Sequence, residues 1–191
     1  ALLGPGKFLL FGLPTGIGTA VGMLVINFLL KKFHSKVLYI ASGIYSVIIN
    51  TAAFAVGYIY FKSPSPVLQI LFVVFLFLIG LQFGASNLLP TMFQADVLED
   101  IELKTGKRLD ASLPFVIGIG TMISGTIASA LAPKILYGTS IPIIEYVQAV
   151  NGVAQEQSLH TKIMLLFFYT VVHGLMMFLA GVPFFFYKLT G

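Results

Sequence analysis

Five long stretches of this chain contain no Asp, Glu, Lys or Arg, and the segments between them hold nearly all of the charged residues. The five stretches are residues 8–30, 37–61, 67–95, 111–133 and 163–187. A helix needs about 20 apolar residues to cross a hydrocarbon core about 30 Å thick, so each stretch is long enough to span a membrane. Runs such as 70–79 and 163–168 lack the polar and apolar alternation of barrel strands. Because backbone groups in lipid must be paired inside the protein, we predict five transmembrane helices.

Composition supports this interpretation and narrows the class of protein. Of the 191 residues, 58% are hydrophobic and 9% are charged, whereas a soluble globular domain carries about 25% charged residues. A soluble enzyme domain and a disordered chain are both excluded. The formal charge of +4 over eleven basic residues forms no stripe that would bind nucleic acid. The chain has no Cys, which excludes thiolate catalysis and cysteine zinc sites. We predict an all-α polytopic membrane protein with a single half-bundle over residues 1–191.

The distribution of basic residues predicts an orientation. Five crossings place seven basic residues on one side and four on the other. The larger group is Lys31, Lys32, Lys36, Lys104, Lys107, Arg108 and Lys188. The positive-inside rule places it in the cytoplasm, together with the C-terminus and a loop at 96–110. The loop at 134–162 then lies outside. Since the chain starts with Ala1 and has an odd number of spans, we interpret it as a piece of a longer polypeptide or as a processed chain.

Small residues recur at helical spacing in two of the spans. In the first span, four glycines form two pairs of the small-xxx-small type, with Pro14 between them. These glycines are Gly12, Gly16, Gly18 and Gly22. The fourth span carries a similar face, formed by Gly118, Thr121, Gly125, Ala128 and Ala132. Small residues allow helix backbones to approach closely in lipid. The pattern fits either ordinary helix packing or a helix that lines a substrate path and flexes.

The segment 94–112 holds five of the seven acidic residues. Asp96, Glu99 and Asp100 are spaced to lie on one helix face if the third helix continues beyond the membrane. Lys104, Lys107 and Arg108 follow, with a glycine between them. The segment is either a solvated connector or a charge network that ties one helix to its neighbours.

This segment resembles a signature of a known transporter family. Asp96 and Glu99 followed by Glu-Leu-Lys-Thr-Gly-Lys-Arg at 102–108 resemble the motif of the glycoside–pentoside–hexuronide:cation symporters. These are the melibiose-permease-like branch of the major facilitator superfamily. Three spans precede the motif and two follow it, and the sequence after the last span is similar to the end of the family's final helix. The five helices then correspond to the eighth to twelfth of a twelve-helix transporter.

The resemblance implies cation-coupled symport of a sugar, glycoside or similar small polar solute by alternating access, and no enzyme activity. Sodium or a proton would be the coupling ion, with no other cofactor and no metal site, and its carboxylate ligands would lie mainly in an N-terminal half of the same polypeptide. The partners would be the solute, the cation, that half and the lipid bilayer. The expected location is a bacterial inner (plasma) membrane. A cytoplasmic gate network would comprise Asp96, Glu99, Glu102, Lys104, Lys107 and Arg108.

Polar side chains within the spans are candidates for the substrate path, because buried polar groups are costly in a bilayer. Gln82 and Asn87 carry amides, which donate and accept hydrogen bonds together and therefore suit sugar hydroxyls. Thr121, Ser124 and His173 complete the set. For each amide or hydroxyl, an interhelical hydrogen bond is the alternative role. His173 is a candidate proton relay, because the pKa of a free imidazole is about 6.5.

Three alternatives from other classes remain open. The first is a lysolipid transporter, since such transporters belong to the same superfamily branch. Asp96 and Asp100 at a helix end are similar to the magnesium-binding clusters of intramembrane prenyltransferases, although such enzymes need two facing clusters and this chain offers one. A non-transporting membrane subunit would show specific association and no uptake.

Overall fold

The computed structural model describes residues 8–106, 112–137, 144, 146–150 and 155–186. Over these residues the chain is helical, with helices α1 (Phe8–Leu30), α2 (Ser35–Lys62), α3 (Pro66–Thr105) and α4 (Ser112–Tyr137). The fifth span runs over Leu159–Phe185. It consists of α5 (Leu159–Phe167), a π-helical turn (Phe168–Val172), α6 (His173–Gly181) and a 3₁₀ turn (Val182–Phe185).

Five of the described helical segments are long and apolar enough to cross a membrane, so the predicted all-α class with five spans is confirmed. The main difference from the charge-free stretches concerns α3. This helix has 40 residues, or about 60 Å at 1.5 Å per residue, and it continues through the acidic residues to Thr105. The described part of the predicted loop 96–110 is therefore helical as far as Thr105.

Local signals explain where these helices begin and end. Pro66 starts α3, where its missing N–H costs nothing, and the Ser65 hydroxyl accepts from the Leu68 N–H at 3.2 Å. At the other end, the Gly106 N–H donates to the Glu102 carbonyl at 2.8 Å. Gly106 has a φ of +67°, the left-handed conformation that favours glycine after a helix.

The chain divides into two compact units, and the division falls within α3. The first unit comprises Ala1–Leu89 and Val147–Lys188, and the second comprises Pro90–Tyr146 and Leu189–Gly191. Pro90, at the division, has no N–H to donate to the carbonyl four residues earlier. The single half-bundle expected from the sequence stays a prediction.

In the first unit, α2 lies against the whole fifth span, from α5 to the 3₁₀ turn. One apolar cluster joins α1, α2, α3 and α5; it contains Phe11, Ala53, Tyr60, Phe72, Leu76, Ile79 and Leu166. A second cluster joins the other ends of α1 and α3 to the start of α2; it contains Ile26, Leu38, Ala85 and Leu89. Side chains from the four helices α1, α2, α3 and α5 therefore form the core of this unit.

In the second unit, α4 contacts a residue that follows its C-terminal end. The Tyr146 N–H donates to the Leu136 carbonyl at 3.0 Å, and the Tyr137 and Tyr146 rings lie edge to face, 6.0 Å apart. The small-residue face of α4 is not packed within this unit: a Cβ on Gly118 or Gly125 would meet no described atom within 4 Å. The close packing predicted for that face is therefore not seen within the second unit.

Candidate functional site

Close contact between α1 and α3 fixes the part of α3 that carries the amide candidates. A Cβ on Gly18 would lie 3.0 Å from the Gly80 Cα, and one on Gly22 would lie 2.8 Å from the Leu81 Cα. From the other side, a Cβ on Gly84 would lie 2.6 Å from the Met23 nitrogen. The two backbones touch where both helices lack side chains. Of the two glycine pairs predicted in α1, Gly18 and Gly22 form this contact.

The first pair behaves differently. A Cβ on Gly16 would meet no described atom within 4 Å, and Gly16 is exposed. The partner pair on α3, Gly80 and Gly84, was not singled out from the sequence. Its four-residue spacing equals that of Gly18 and Gly22, and this spacing is the signal by which it can be found.

Gln82 is buried beside this contact, with 2% of its surface exposed. Its Nε2 donates to the Ser86 hydroxyl at 2.9 Å, and that hydroxyl donates to the Gln82 carbonyl, also at 2.9 Å. Its Oε1 is buried and has no hydrogen-bond partner among the described residues. The side chain also lines a cavity between α1, α2 and α3. The amide thus holds a buried, unpaired acceptor between the helices of the first unit.

His173 lies directly after the π-helical turn and packs against α3. Its ring is 5.0 Å from the Phe83 ring, in an edge-on arrangement. The His173 Nε2 is buried without a partner among the described residues. Single π-turns within helices often occur at functional positions, because the extra residue redirects the side chains around it. His173 therefore contacts Phe83, the residue that follows Gln82 in α3.

A further polar side chain, Asn50, lies beside Gly174 and was not among the predicted site residues. Asn50 is fully buried on α2, and its Nδ2 donates to the Ser46 carbonyl at 2.8 Å. A Cβ on Gly174 would lie 2.9 Å from the Asn50 Cβ, so glycine allows α6 to lie directly on this amide. The Asn50 Oδ1 is buried and has no partner in the part of the chain that the structure describes.

The other three substrate-path candidates are exposed. Asn87 lies on α3 in the first unit, and Thr121 and Ser124 lie on α4 in the second. The Thr121 hydroxyl donates to the Ile117 carbonyl at 2.9 Å, and the Ser124 hydroxyl to the Gly120 carbonyl at 2.6 Å. Each hydroxyl keeps lone pairs that can accept a further hydrogen bond.

The predicted gate residues lie at the C-terminal end of α3, in the second unit. Lys104 Nζ lies 2.7 Å from Asp100 Oδ2, an ion pair one helical turn apart. Asp96, Glu99 and Glu102 are exposed on the same helix. Lys107 and Arg108 fall outside the described residues. The pair between Lys104 and Asp100 joins a base and an acid of this segment.

No group of three or more His, Asp or Glu side chains that could hold a metal ion is found among the described residues. The prediction of a site without a metal is not tested by this result, because a coupling ion bound by oxygen atoms of other helices would leave no such group here.

Comparison with known proteins identifies a family. The model of the family described as MFS/sugar transport protein matches residues 5–191. No curated protein and no solved structure matches the chain.

Proposed function

Since the chain belongs to the MFS/sugar transport protein family, a family of membrane transporters, we propose that it takes part in cation-coupled symport of a sugar or glycoside. The observation that carries this proposal is the family match over residues 5–191, together with five described helices that can cross a membrane. On this proposal the chain is the C-terminal half of a twelve-helix transporter. It rocks against an N-terminal half in an inner membrane, with its C-terminus in the cytoplasm.

Asn87 in the first unit and, separately, Thr121 and Ser124 in the second are the exposed candidates for sugar contacts. A sugar presents several hydroxyls that each need a donor or an acceptor, and an amide supplies both. The hydroxyls of Thr121 and Ser124 already donate to their own helix, so they would accept from the sugar. Gln82 and His173 are packed between helices of the first unit, and we assign them no direct sugar contact.

The coupling ion is sodium or a proton, bound mainly by the N-terminal half. The charged segment of this chain would act as a gate that closes the cytoplasmic side. Six residues form the proposed network: Asp96, Glu99, Glu102, Lys104, Lys107 and Arg108. The described ion pair between Asp100 and Lys104 supports this network, because the pair stabilises the part of α3 that carries the acidic residues beyond the span. Opening inward would break the network and opening outward would restore it.

Counterflow of labelled glycosides in proteoliposomes tests the transport proposal. The natural polypeptide that carries this chain would be assayed with and without sodium, at two pH values. Saturable exchange that depends on sodium or on pH is the expected result. If galactosides, glucosides, pentosides and uronides all fail to exchange, symport of sugars is wrong, and exchange of lysolipids in the same vesicles would identify the alternative substrate class.

Two sets of variants test the assigned roles. Asp96→Asn and Arg108→Ala should slow net uptake and leave binding of the sugar nearly unchanged, whereas Lys134→Ala, on the opposite side by the charge argument, should transport normally. Unchanged kinetics in both gate variants would refute the gate. Uptake that loses its pH dependence in His173→Gln would make His173 the proton relay, and uptake that keeps it would remove that role.

A further inference from the structure

Two adjacent lysines, Lys31 and Lys32, directly follow the last residue of α1, and both are exposed. The Lys32 N–H and the Phe33 N–H each donate to the Leu29 carbonyl at 2.9 Å, so the chain turns tightly before α2 begins at Ser35. Both helices are long and apolar enough to cross a membrane. A turn of four residues extends no more than about 10 Å beyond the helix ends, which keeps both lysines near the lipid headgroups.

The first unit supplies no acidic residue at this turn. Its sequence, residues 1–89 and 147–188, contains one acid, Glu156, which precedes α5. Helix α2 and the fifth span are antiparallel. Gly43, near the start of α2, faces Phe178, and Gly57, near its end, faces Leu166. Glu156 therefore lies at the end of the unit opposite the lysines, whose two positive charges are not neutralised by an acid of their own unit.

Lys32 also lies at the end of an apolar stripe on α1. Its Nζ is 5.4 Å from the centroid of the Phe28 ring, which is within the range of a cation–π contact. The stripe consists of exposed side chains whose spacing of four, seven and four residues places them on one face of the helix: Leu13, Ile17, Leu24 and Phe28. The first helix thus presents a long apolar surface that leads to two positive charges.

An anionic phospholipid matches both parts of this surface. Basic residues next to a span attract anionic headgroups, and the apolar stripe offers a surface for an acyl chain. A free anion would use the lysines and leave the stripe uncovered. A neutral lipid would cover the stripe and gain less from the two charges.

We propose that the end of α1 binds an anionic phospholipid, with its phosphate at Lys31 and Lys32 and an acyl chain along Leu24 and Phe28. The site lies within the first unit and is separate from the proposed sugar contacts. It does not depend on the chain being a symporter, since it requires only that α1 and α2 cross a membrane.

Native mass spectrometry of the purified full-length protein in detergent tests the proposal. The probes are dioleoylphosphatidylglycerol and dioleoylphosphatidylcholine, which have the same acyl chains and differ in net charge. A lysine near the headgroups contributes about fivefold to the binding of an anionic lipid, so phosphatidylglycerol should bind about 25-fold more tightly. Lys31→Gln and Lys32→Gln should each lower this preference about fivefold. Equal affinities for the two lipids, no saturable binding, or a preference that survives both substitutions would overturn the proposal.

The other end of α2 offers a matched control for charge. Lys62 Nζ lies 4.4 Å from the centroid of the Tyr58 ring, with the same four-residue spacing as Lys32 and Phe28, but Lys62 has no adjacent lysine. Lys62→Gln should keep the full preference for phosphatidylglycerol. A loss equal to that in Lys32→Gln would contradict a site at the end of α1.

Two further variants test the acyl-chain contact. Leu24→Gln should weaken both lipids by the same factor, because their chains are identical. Ile48→Gln is its control, since Ile48 is exposed on α2 and lies outside the stripe; it should bind both lipids normally. Unchanged binding in Leu24→Gln would refute the acyl-chain contact. Displacement of phosphatidylglycerol by inorganic phosphate at constant ionic strength would overturn the proposal in favour of a site for a free anion.

Discussion

The contact between α1 and α3 predicts that alanine is destabilising at positions where it ordinarily favours a helix. A Cβ on Gly22 would lie 2.8 Å from the Leu81 Cα, and one on Gly84 would lie 2.6 Å from the Met23 nitrogen. Unbonded carbon atoms pack at about 3.5–4.0 Å, so the backbones must separate by about 1 Å. The nearest atoms belong to the backbone and cannot rotate away, as a flexible side chain would.

The expected free energy follows from two opposing effects. Overpacking of this kind costs about 1–3 kcal/mol, while replacing glycine with alanine in a helix returns about 0.5–1 kcal/mol. Gly22→Ala and Gly84→Ala should each lower the free energy of unfolding by about 0.5–2 kcal/mol. Gly16→Ala is the matched control, because no described atom lies within 4 Å of its Cβ position. It should be neutral, or stabilising by up to about 1 kcal/mol.

The measurement is unfolding of the full-length protein in mixed micelles by added sodium dodecyl sulfate, followed by far-ultraviolet circular dichroism. The double variant Gly22→Ala/Gly84→Ala should cost less than the sum of the single variants, since one outward shift of the helices relieves both clashes. The reasoning would be refuted if both single variants were as stable as Gly16→Ala, because the helices would then not touch at these glycines.

Four further substitutions test other contacts by the same unfolding assay. Gly174→Ala should cost about 0.5–2 kcal/mol by the same two effects. Gly43→Ala should cost less, since the added Cβ would lie 3.4 Å from its nearest neighbour, compared with 2.9 Å at Gly174; equal losses would contradict this ranking. Ser158→Ala should cost about 1 kcal/mol, because the Ser158 hydroxyl caps α5 by accepting from the Thr161 N–H at 3.1 Å. An unchanged stability would show that the cap contributes nothing. Lys104→Ala should cost less than about 0.5 kcal/mol, because its ion pair with Asp100 is exposed. The loss should vanish at high salt, which screens the pair. A larger loss would mean that Lys104 has further partners.

The five spans could be predicted from the sequence because the bilayer imposes one strong rule, a long uncharged helix for each crossing. The extent of α3 was harder to predict. Half of residues 96–105 are charged, which favours a loop outside the membrane, yet pairs such as Asp100 and Lys104 stabilise a helix in water as well. The helix ends at Gly106, where the left-handed conformation is available to glycine.

The candidate site was predicted less completely, because hydrogen bonding and helix pairing depend on neighbours that are distant in sequence. Gln82 and Asn87 are both amides on α3, but the structure buries the first and exposes the second. Nothing in a list of polar residues distinguishes them. The partner of the α1 glycines could have been found, since Gly80 and Gly84 repeat their spacing. The contact of Gly174 with Asn50 has no comparable signal, because it joins two single residues on different helices.

These contacts bear on transport through the stiffness of the first unit. Alternating access by rocking requires each moving body to keep its internal contacts while the surfaces around the substrate change. The backbone contact of α1 with α3 and the packing of α6 on Asn50 give the first unit that stiffness without long side chains. We therefore expect Gly84→Ala to slow counterflow of a labelled glycoside although Gly84 makes no proposed sugar contact, while Gly16→Ala leaves the rate unchanged. Equal rates in the two variants, with Gly84→Ala measurably less stable, would show that transport does not depend on this contact.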